Sequence, residues 1–427
     1  MFTYTEHTNN APLINVVDAL MGQGKSTWLI NTVNQLMASI FDDVTPPNII
    51  IVTPYLEEVK RFQKQCPVAD FVSPVAHGQS KTDNFHELLE AGHNIVTTHA
   101  LWKGLNRTTY ELVSKHKYVL YIDEMMECVE HCKEFSNSDF KMLFNHKLIS
   151  IADDGRILWN HDNEPNYRGK FDHLKSLCEN GNLFRYKDKM NFWIFPTDFL
   201  EQFSEVWVLT YLWSGSIMDA YVLAAGYRVH HHTLVDYHLE PYSLIDEGPM
   251  RARIKSLITI IDDPKLNVIG NTSKYGSEPR PLSSSWYGRQ DAGVLHKIHN
   301  LIYNYYKNKV SGGASQAMWT CYAPQRITLK GSGFAKGHIA CNARATNEHR
   351  HRTNLAYMID LYMVPIVKTF IESRGVKVSQ DQYSLSALVQ WIFRSAIRDA
   401  KPINLFIPSQ RMRGLLMDWL NPERMGL

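Results

Sequence analysis

The feature that most constrains this chain is an apolar run, Leu13-Ile14-Asn15-Val16-Val17, that passes into Ala19-Leu20-Met21-Gly22-Gln23-Gly24-Lys25-Ser26-Thr27 and then into helical sequence from about Ser26 to Ser39. A strand, a glycine turn and a helix start, in that order, build a concave anion site. Consecutive backbone N–H groups of the turn converge on one point, and the helix dipole adds positive potential there. Lys25 is then placed to reach the β- and γ-phosphates of a nucleotide, and the Ser26 hydroxyl to ligate Mg²⁺. Met21, Gly22, Gln23, Gly24, Lys25, Ser26 and Thr27 form the expected nucleotide-binding set, for ATP with Mg²⁺. One position departs from the pattern: Ala19 stands where the first glycine is usual, and it fits if its backbone keeps a negative φ.

Strand signals alternate with helical ones downstream. Ile49-Ile50-Ile51-Val52 ends at Thr53-Pro54 and is followed by a charged helical stretch from about Leu56 to Gln65. Further strand signals lie at Asn94 to Thr98, Tyr118 to Ile122 and Val206 to Thr210. Such alternation implies a mostly parallel sheet covered on both faces. Between about Cys128 and Glu205 the pattern changes to aromatic hairpin-like runs, Gly155 to Trp159 and Asn191 to Phe195, which read as an insertion. After about Ile245 a loop-rich stretch with Gly270, Gly276, Pro279 and Pro281 suggests a boundary. Beyond it come a strand signal at Gln316 to Tyr322, a glycine-rich loop at Gly331-Ser332-Gly333, helical patterns over about 347–374 and 383–399, and a strand at Ile403 to Ile407. With 427 residues the chain exceeds what one core usually serves. The expectation is an α/β chain of two domains with mostly parallel sheets: 1–245, with about 130–205 inserted, and 246–427.

The Tyr118 to Ile122 strand delivers Asp123 and Glu124 at its end. Hydrolysis of a phosphoanhydride needs two acidic roles. Asp123 holds Mg²⁺, with Ser26 as the other metal-side ligand, while Glu124 orients and polarises the attacking water.

Composition excludes other classes. A hydrophobic content of 44% and a charged content of 21% describe a folded globular chain, and a net charge of +2 leaves any nucleic-acid footprint to local patches. No basic segment leads into an apolar one at the start, and no apolar run approaches the ~20 residues that span a bilayer, so a cytoplasmic protein with no membrane partner is expected. The cysteines at 66, 128, 132, 178, 321 and 341 are too sparse for a disulfide scaffold. Cys128, His131 and Cys132 lack a second pair at zinc spacing. His230-His231-His232 alternates faces on a strand and so cannot converge on one ion.

Several further segments carry a resemblance. Ile51-Val52-Thr53-Pro54, Val96-Thr97-Thr98-His99-Ala100-Leu101, and Leu209-Thr210-Tyr211 followed by Gly215-Ser216 resemble motifs of superfamily two helicases, the DEAD-like group, and particularly the compact helicases encoded by bacteriophages. The resemblance implies two RecA-like domains, P-loop ATP hydrolysis, and a nucleic-acid partner, DNA in preference to RNA, with replication proteins as further partners. It implies strand contacts from Thr53, Pro54, Thr97, Thr98 and His99, through hydroxyls and N–H groups that hold phosphate oxygens without reading bases. Thr210 takes the role of coupling the ATP site to the strand.

In the second domain, Gln390, Arg394 and Arg398 stand at four-residue steps, which places them on one face if the segment is helical. They resemble the family's arginine-finger motif, with Gln390 near the nucleotide and Arg394 or Arg398 stabilising charge on the γ-phosphate, an effect of about 10³ to 10⁵ in rate. The basic stretch Asn342-Ala343-Arg344 to Arg352, with Lys330, Lys336, Lys401, Arg411 and Arg413, supplies local positive charge, and Asn342 and Arg344 are its best strand-contact candidates. Two other readings remain: a phage DNA-packaging ATPase, and a regulatory nucleic-acid-binding protein that keeps a P-loop.

Overall fold

The computed structural model describes residues 12–39, 45–76, 78, 80–163, 167–187, 190–244, 246–271, 280–342 and 348–421. The chain divides into two compact units, one of Met1–Leu244 with Val364–Val378, the other of Ile245–Met363 with Ser379–Leu427. Both are α/β with mainly parallel sheets.

In the first unit the strands are β1 (Leu13–Asp18), β2 (Ile49–Thr53), β3 (Ile95–Thr98) and β4 (Val119–Asp123), then β5 (Val129–His131), β6 (Ile149–Ile151), β7 (Ile157–Trp159), β8 (Leu183–Tyr186) and β9 (Met190–Ile194), then β10 (Glu205–Thr210), β11 (Arg228–Val235) and β12 (His238–Pro241). The main sheet runs β12-β11-β1-β10-β4-β2-β3, and every pairing in it is parallel except the β11–β12 hairpin. Its central strands are rich in β-branched residues because both faces are covered: Ile49, Ile50, Ile51 and Val52 are all fully buried. The helix Lys25–Ala38 covers one face through Trp28, Leu29, Val33 and Met37, which pack with Val17, Ile51 and Phe62.

Between β4 and β10 the antiparallel sheet β5-β9-β8 and the hairpin β6-β7 form an inserted layer. Phe135, Phe140, Trp159, Leu174 and Leu183 close its own core.

The second unit holds β13 (Ile258–Ile260), β14 (Ala317–Thr320), β15 (Asn354–Tyr357) and β16 (Ile403–Phe406) in the order β13-β16-β15-β14, all parallel. Trp286, Tyr305, Trp319 and Phe406 lie at the centre of its core.

Three expectations change. The helical pattern over 347–374 resolves into strand β15 and a shorter helix, Pro365–Glu372. The run Leu355 to Met363 is apolar enough to satisfy either period, and burial on both faces selects the strand, while Pro365 starts the helix at its first turn. The pattern over 383–399 also breaks: a helix spans Gln380–Ile392, and a separate 3₁₀ turn spans Ala396–Asp399. At the break Ser395 accepts from the Ile397 N–H, capping the new turn instead of continuing the old helix. Residues 364–378, expected in the second domain, pack with the first unit, so the chain passes between units at 244/245, 363/364 and 378/379. Among the described residues no helix is long and apolar enough to cross a membrane.

Candidate nucleotide site at the carboxyl edge of the first sheet

Parallel strands end on one edge, and here that edge gathers segments far apart in sequence. Asp18 at the end of β1 pairs in register with Thr210 of β10, Leu209 with Asp123 of β4, Val52 of β2 with Ile122, and Thr53 with Thr98 of β3. Ligands of open α/β sheets bind outside such carboxyl ends.

The loop after β1 has the conformation its glycines allow. Gly22 and Gly24 take φ of 91° and 89°, and the helix begins at Lys25. Ala19 keeps a negative φ and is fully buried, and its N–H donates to the Thr210 carbonyl at 3.0 Å, so the missing glycine costs the turn nothing. The Gln23 side chain braces the loop by accepting from the Leu20 N–H at 2.9 Å. Lys25, buried, donates its Nζ to the carbonyls of Ala19 at 2.5 Å and Leu20 at 3.4 Å. Ser26 and Thr27 lie half-buried in the first helical turn.

The acidic pair lies two strands away. Asp123 is buried, and its carboxyl is pushed up to about 7, first by burial and then by the charges of Glu124 and Glu58, against the opposing pull of Lys25 and Arg61. Glu124 sits at φ 67°, left-handed for a residue with a Cβ, and its N–H donates to the Leu209 carbonyl at 2.8 Å. Such a backbone costs roughly 1–2 kcal/mol.

Burial corrects part of the expected strand-contact set. Thr53 is fully buried and Thr97 nearly so, while Pro54 and Thr98 are half-buried. His99 is buried too, and its Nε2 lies 3.0 Å from the Asp123 carbonyl oxygen, so the ring braces the acidic strand end instead of facing solvent. Thr210 is fully buried, and neither its hydroxyl nor that of Thr53 has a hydrogen-bond partner among the described residues.

Sequence reasoning missed Asp18. Its carboxylate, almost fully buried, accepts from the backbone N–H of Leu212 at 2.8 Å and of Trp213 at 2.9 Å. It ties the end of the phosphate-loop strand to the turn after Thr210, where Leu212 stands at φ 58°. The available signal was an acid placed between apolar Val17 and Ala19 at the end of a buried strand.

In the second unit Gln390 ends up alone on its helix, its Nε2 donating to Ser386 Oγ at 3.3 Å. Arg394 lies past the helix end and is buried, and Arg398 lies half-buried in the 3₁₀ turn, so the three do not share one helix face. Asn342 is exposed, and Arg344 lies outside the described residues. Much of the expected basic patch is spent inside the fold. Arg350 pairs with Asp399, Arg352 donates to the Ala317 carbonyl, Arg411 pairs with Asp360 and Asp381, and Arg413 donates to the carbonyls of Ile407 and Pro408. Lys330, Lys336 and Lys401 remain exposed.

Among the described residues no group of three or more His, Cys, Asp or Glu side chains is placed to hold a metal ion. The His230 and His232 rings lie side by side with centroids 4.1 Å apart, and the His231 ring packs near Tyr242.

Comparison with known proteins places the chain. It is 35% identical over 427 residues to the SPbeta prophage-derived uncharacterized protein YonV of Bacillus subtilis (strain 168), covering 96% of this chain and 99% of that one. The chain belongs to the YonV family. Residues 129–193 match the YonV middle domain and residues 252–420 the YonV C-terminal Rossmann-like domain, so the inserted layer and the second unit each have a family counterpart. Among solved structures, one titled XPD in the apo form is 13% identical with a TM-score of 0.46, covering 96% of each chain. S. tokodaii Xpd4 is 11% identical with a TM-score of 0.48, covering 96% of this chain and 94% of that one.

Proposed function

We propose that this YonV-family protein is an ATP-dependent nucleic-acid translocase or helicase of the compact phage-encoded type, acting on DNA. The observation that carries the proposal is the convergence on one sheet edge of a P-loop, Gly22 to Thr27, with a buried acid and its neighbour, Asp123 and Glu124, two strands away. A phosphate loop alone binds; a loop with a metal-side acid and a water-side acid hydrolyses.

Ser26 and Asp123 present hard oxygen donors of the kind Mg²⁺ takes, and a carboxyl pushed up by burial and by neighbouring negative charge is the environment a divalent cation relieves. The ion supplies charge neutralisation on the β- and γ-phosphates when bound. Lys25, which now donates to loop carbonyls, exchanges them for phosphate oxygens, and Glu124 orients the attacking water. Arg394 or Arg398 is the candidate for the guanidinium that stabilises the transferred phosphoryl group, and Gln390 for a nucleotide contact, as in the helicase motif they resemble. Pro54, Thr98 and Asn342 are the accessible strand contacts, and Thr210, through the Asp18 turn, couples the two events.

The test is ATP hydrolysis by the full chain with Mg²⁺ at fixed salt, alone and with single-stranded DNA, duplex DNA and RNA. Turnover abolished by Lys25→Ala and stimulated most by DNA is expected. Turnover that none of the nucleic acids stimulates would remove the translocase and leave an ATPase. Full turnover by Lys25→Ala would remove the site itself.

A further inference from the structure

The hairpin that joins β11 to β12 closes with two residues, Asp236 and Tyr237, between the paired Val235 and His238. Both are left-handed, at φ 47° and 66°, which is the geometry of a type I′ turn. Such turns favour Asn-Gly or Asp-Gly, and a bulky residue in the second position is a genuine outlier. Here that residue is an aromatic one, held more than half exposed (56%) at a hairpin tip. It does not point away from the fold. A methyl group built on Gly24 would overlap the Cε1 and Cδ1 edge of the Tyr237 ring, so the phenol lies directly against the phosphate loop.

The position within the sheet says which part of a ligand it meets. β11 is parallel to β1 and lies beside it on the flank opposite β10 and β4. The acids on β4 mark the side of the loop where the terminal phosphate reacts. The opposite flank, where the β11–β12 tip stands, is left to the nucleoside. A nucleobase offers a π-face to an exposed phenol whatever its edge pattern.

We infer that Tyr237 is a nucleoside-positioning residue, its ring stacking on the base of the nucleoside triphosphate whose phosphates the Gly22–Thr27 loop holds. This rests on the P-loop reading of the same site. The strained turn fixes the ring before the ligand arrives, so little side-chain freedom is lost on binding.

The experiment separates base from phosphates. Binding of ATP and of inorganic tripolyphosphate, each with Mg²⁺, is measured calorimetrically for the full chain and for Tyr237→Phe, Tyr237→Ala and Tyr237→Gly. Tyr237→Phe should keep both affinities. Tyr237→Ala and Tyr237→Gly should weaken ATP about tenfold or more while leaving tripolyphosphate unchanged. Tyr237→Gly should at the same time melt at the wild-type temperature or above, since glycine relieves the left-handed backbone, which separates a lost contact from a damaged fold. Equal losses for the two ligands would overturn the inference in favour of a phosphate contact, and unchanged ATP affinity would overturn it outright. A wild-type chain that binds neither ligand would defeat the P-loop reading first.

Discussion

Replacing Asp18 probes the link between the phosphate loop and the turn after Thr210. Its two oxygens satisfy two backbone donors, Leu212 N–H and Trp213 N–H, in a place where Trp213 is fully buried and Leu212 nearly so. Asp18→Ala leaves both donors without a protein acceptor. Each buried donor so stranded costs about 1–3 kcal/mol, and a water admitted to the vacated space would recover part, so a loss of about 3 kcal/mol is expected. Asp18→Asn keeps one acceptor and turns an NH₂ towards the other donor, for roughly half that loss. Hydrogen exchange at the Leu212 and Trp213 amides reads the effect locally. About 3 kcal/mol corresponds to roughly a hundredfold faster exchange where those amides open independently. ATP turnover should fall with it, because the turn follows directly on Thr210 and on Leu209, whose carbonyl receives the Glu124 N–H. Exchange at these two amides that matches wild type in Asp18→Ala would refute the argument, whatever the activity did.

Three further outcomes follow from named contacts. Glu124→Gln should bind ATP as the wild type does and stop hydrolysis, measured as bound nucleotide against phosphate released; continued turnover would show that another group orients the water. Gly24→Ala should destabilise the loop by at least about 1 kcal/mol from its φ of 89° alone, and the double variant with Tyr237→Ala should recover the steric part, so a double-mutant cycle with no coupling would place the ring elsewhere. Arg411→Met strips Asp360, only 4% exposed, of its ion pair, at a cost of roughly 3–5 kcal/mol near pH 7. Burial already holds the Asp360 carboxyl above its ordinary value despite Arg411, and removing the guanidinium raises it further. The folded state then binds the proton more tightly than the unfolded state, so the contribution to stability falls as pH rises above the ordinary carboxylate range, and the penalty in Arg411→Met should shrink on acidification towards that range. A penalty independent of pH would point to lost packing over Tyr362 instead.

The first sheet was legible because its strands are buried on both faces and read as short β-branched runs ended by turn residues, from Ile49 to Thr53 and from Val119 to Asp123. The glycine turn after β1 and the helix start at Lys25 were legible because they are written in contiguous residues. The second unit was less so. In Leu355 to Ile359 apolar density is continuous, and only the tertiary partner β14 on one side and β16 on the other decides for a strand. The Gln390–Arg398 helix failed for a local reason: four-residue spacing says which residues share a face only if the helix persists, and Ser395 ends that possibility by capping the next turn. The basic patch misled because charge in a sequence does not reveal its partner, and Arg352, Arg411 and Arg413 each spend theirs on carbonyls or carboxylates of their own unit.

Left-handed backbones at residues with side chains occur in several places along the chain, this sheet edge among them. Besides Asp236, a residue type that tolerates such a backbone, three residues just beyond β4, β10 and β11 have side chains and left-handed backbones: Glu124, Leu212 and Tyr237. All three follow carboxyl ends of strands in the first sheet, β10 and β11 beside β1 and β4 one strand further out, and each costs roughly 1–2 kcal/mol that glycine would avoid. At this edge the side chain can offset that cost, in stability or in function. Leu212 does so by burial, being only 6% exposed. Glu124 and Tyr237 cannot, since one is a half-buried carboxylate and the other an exposed ring. On the proposed ATP site their return would come from the ligand, Glu124 at the reacting end of the phosphate chain and Tyr237 at the nucleoside end.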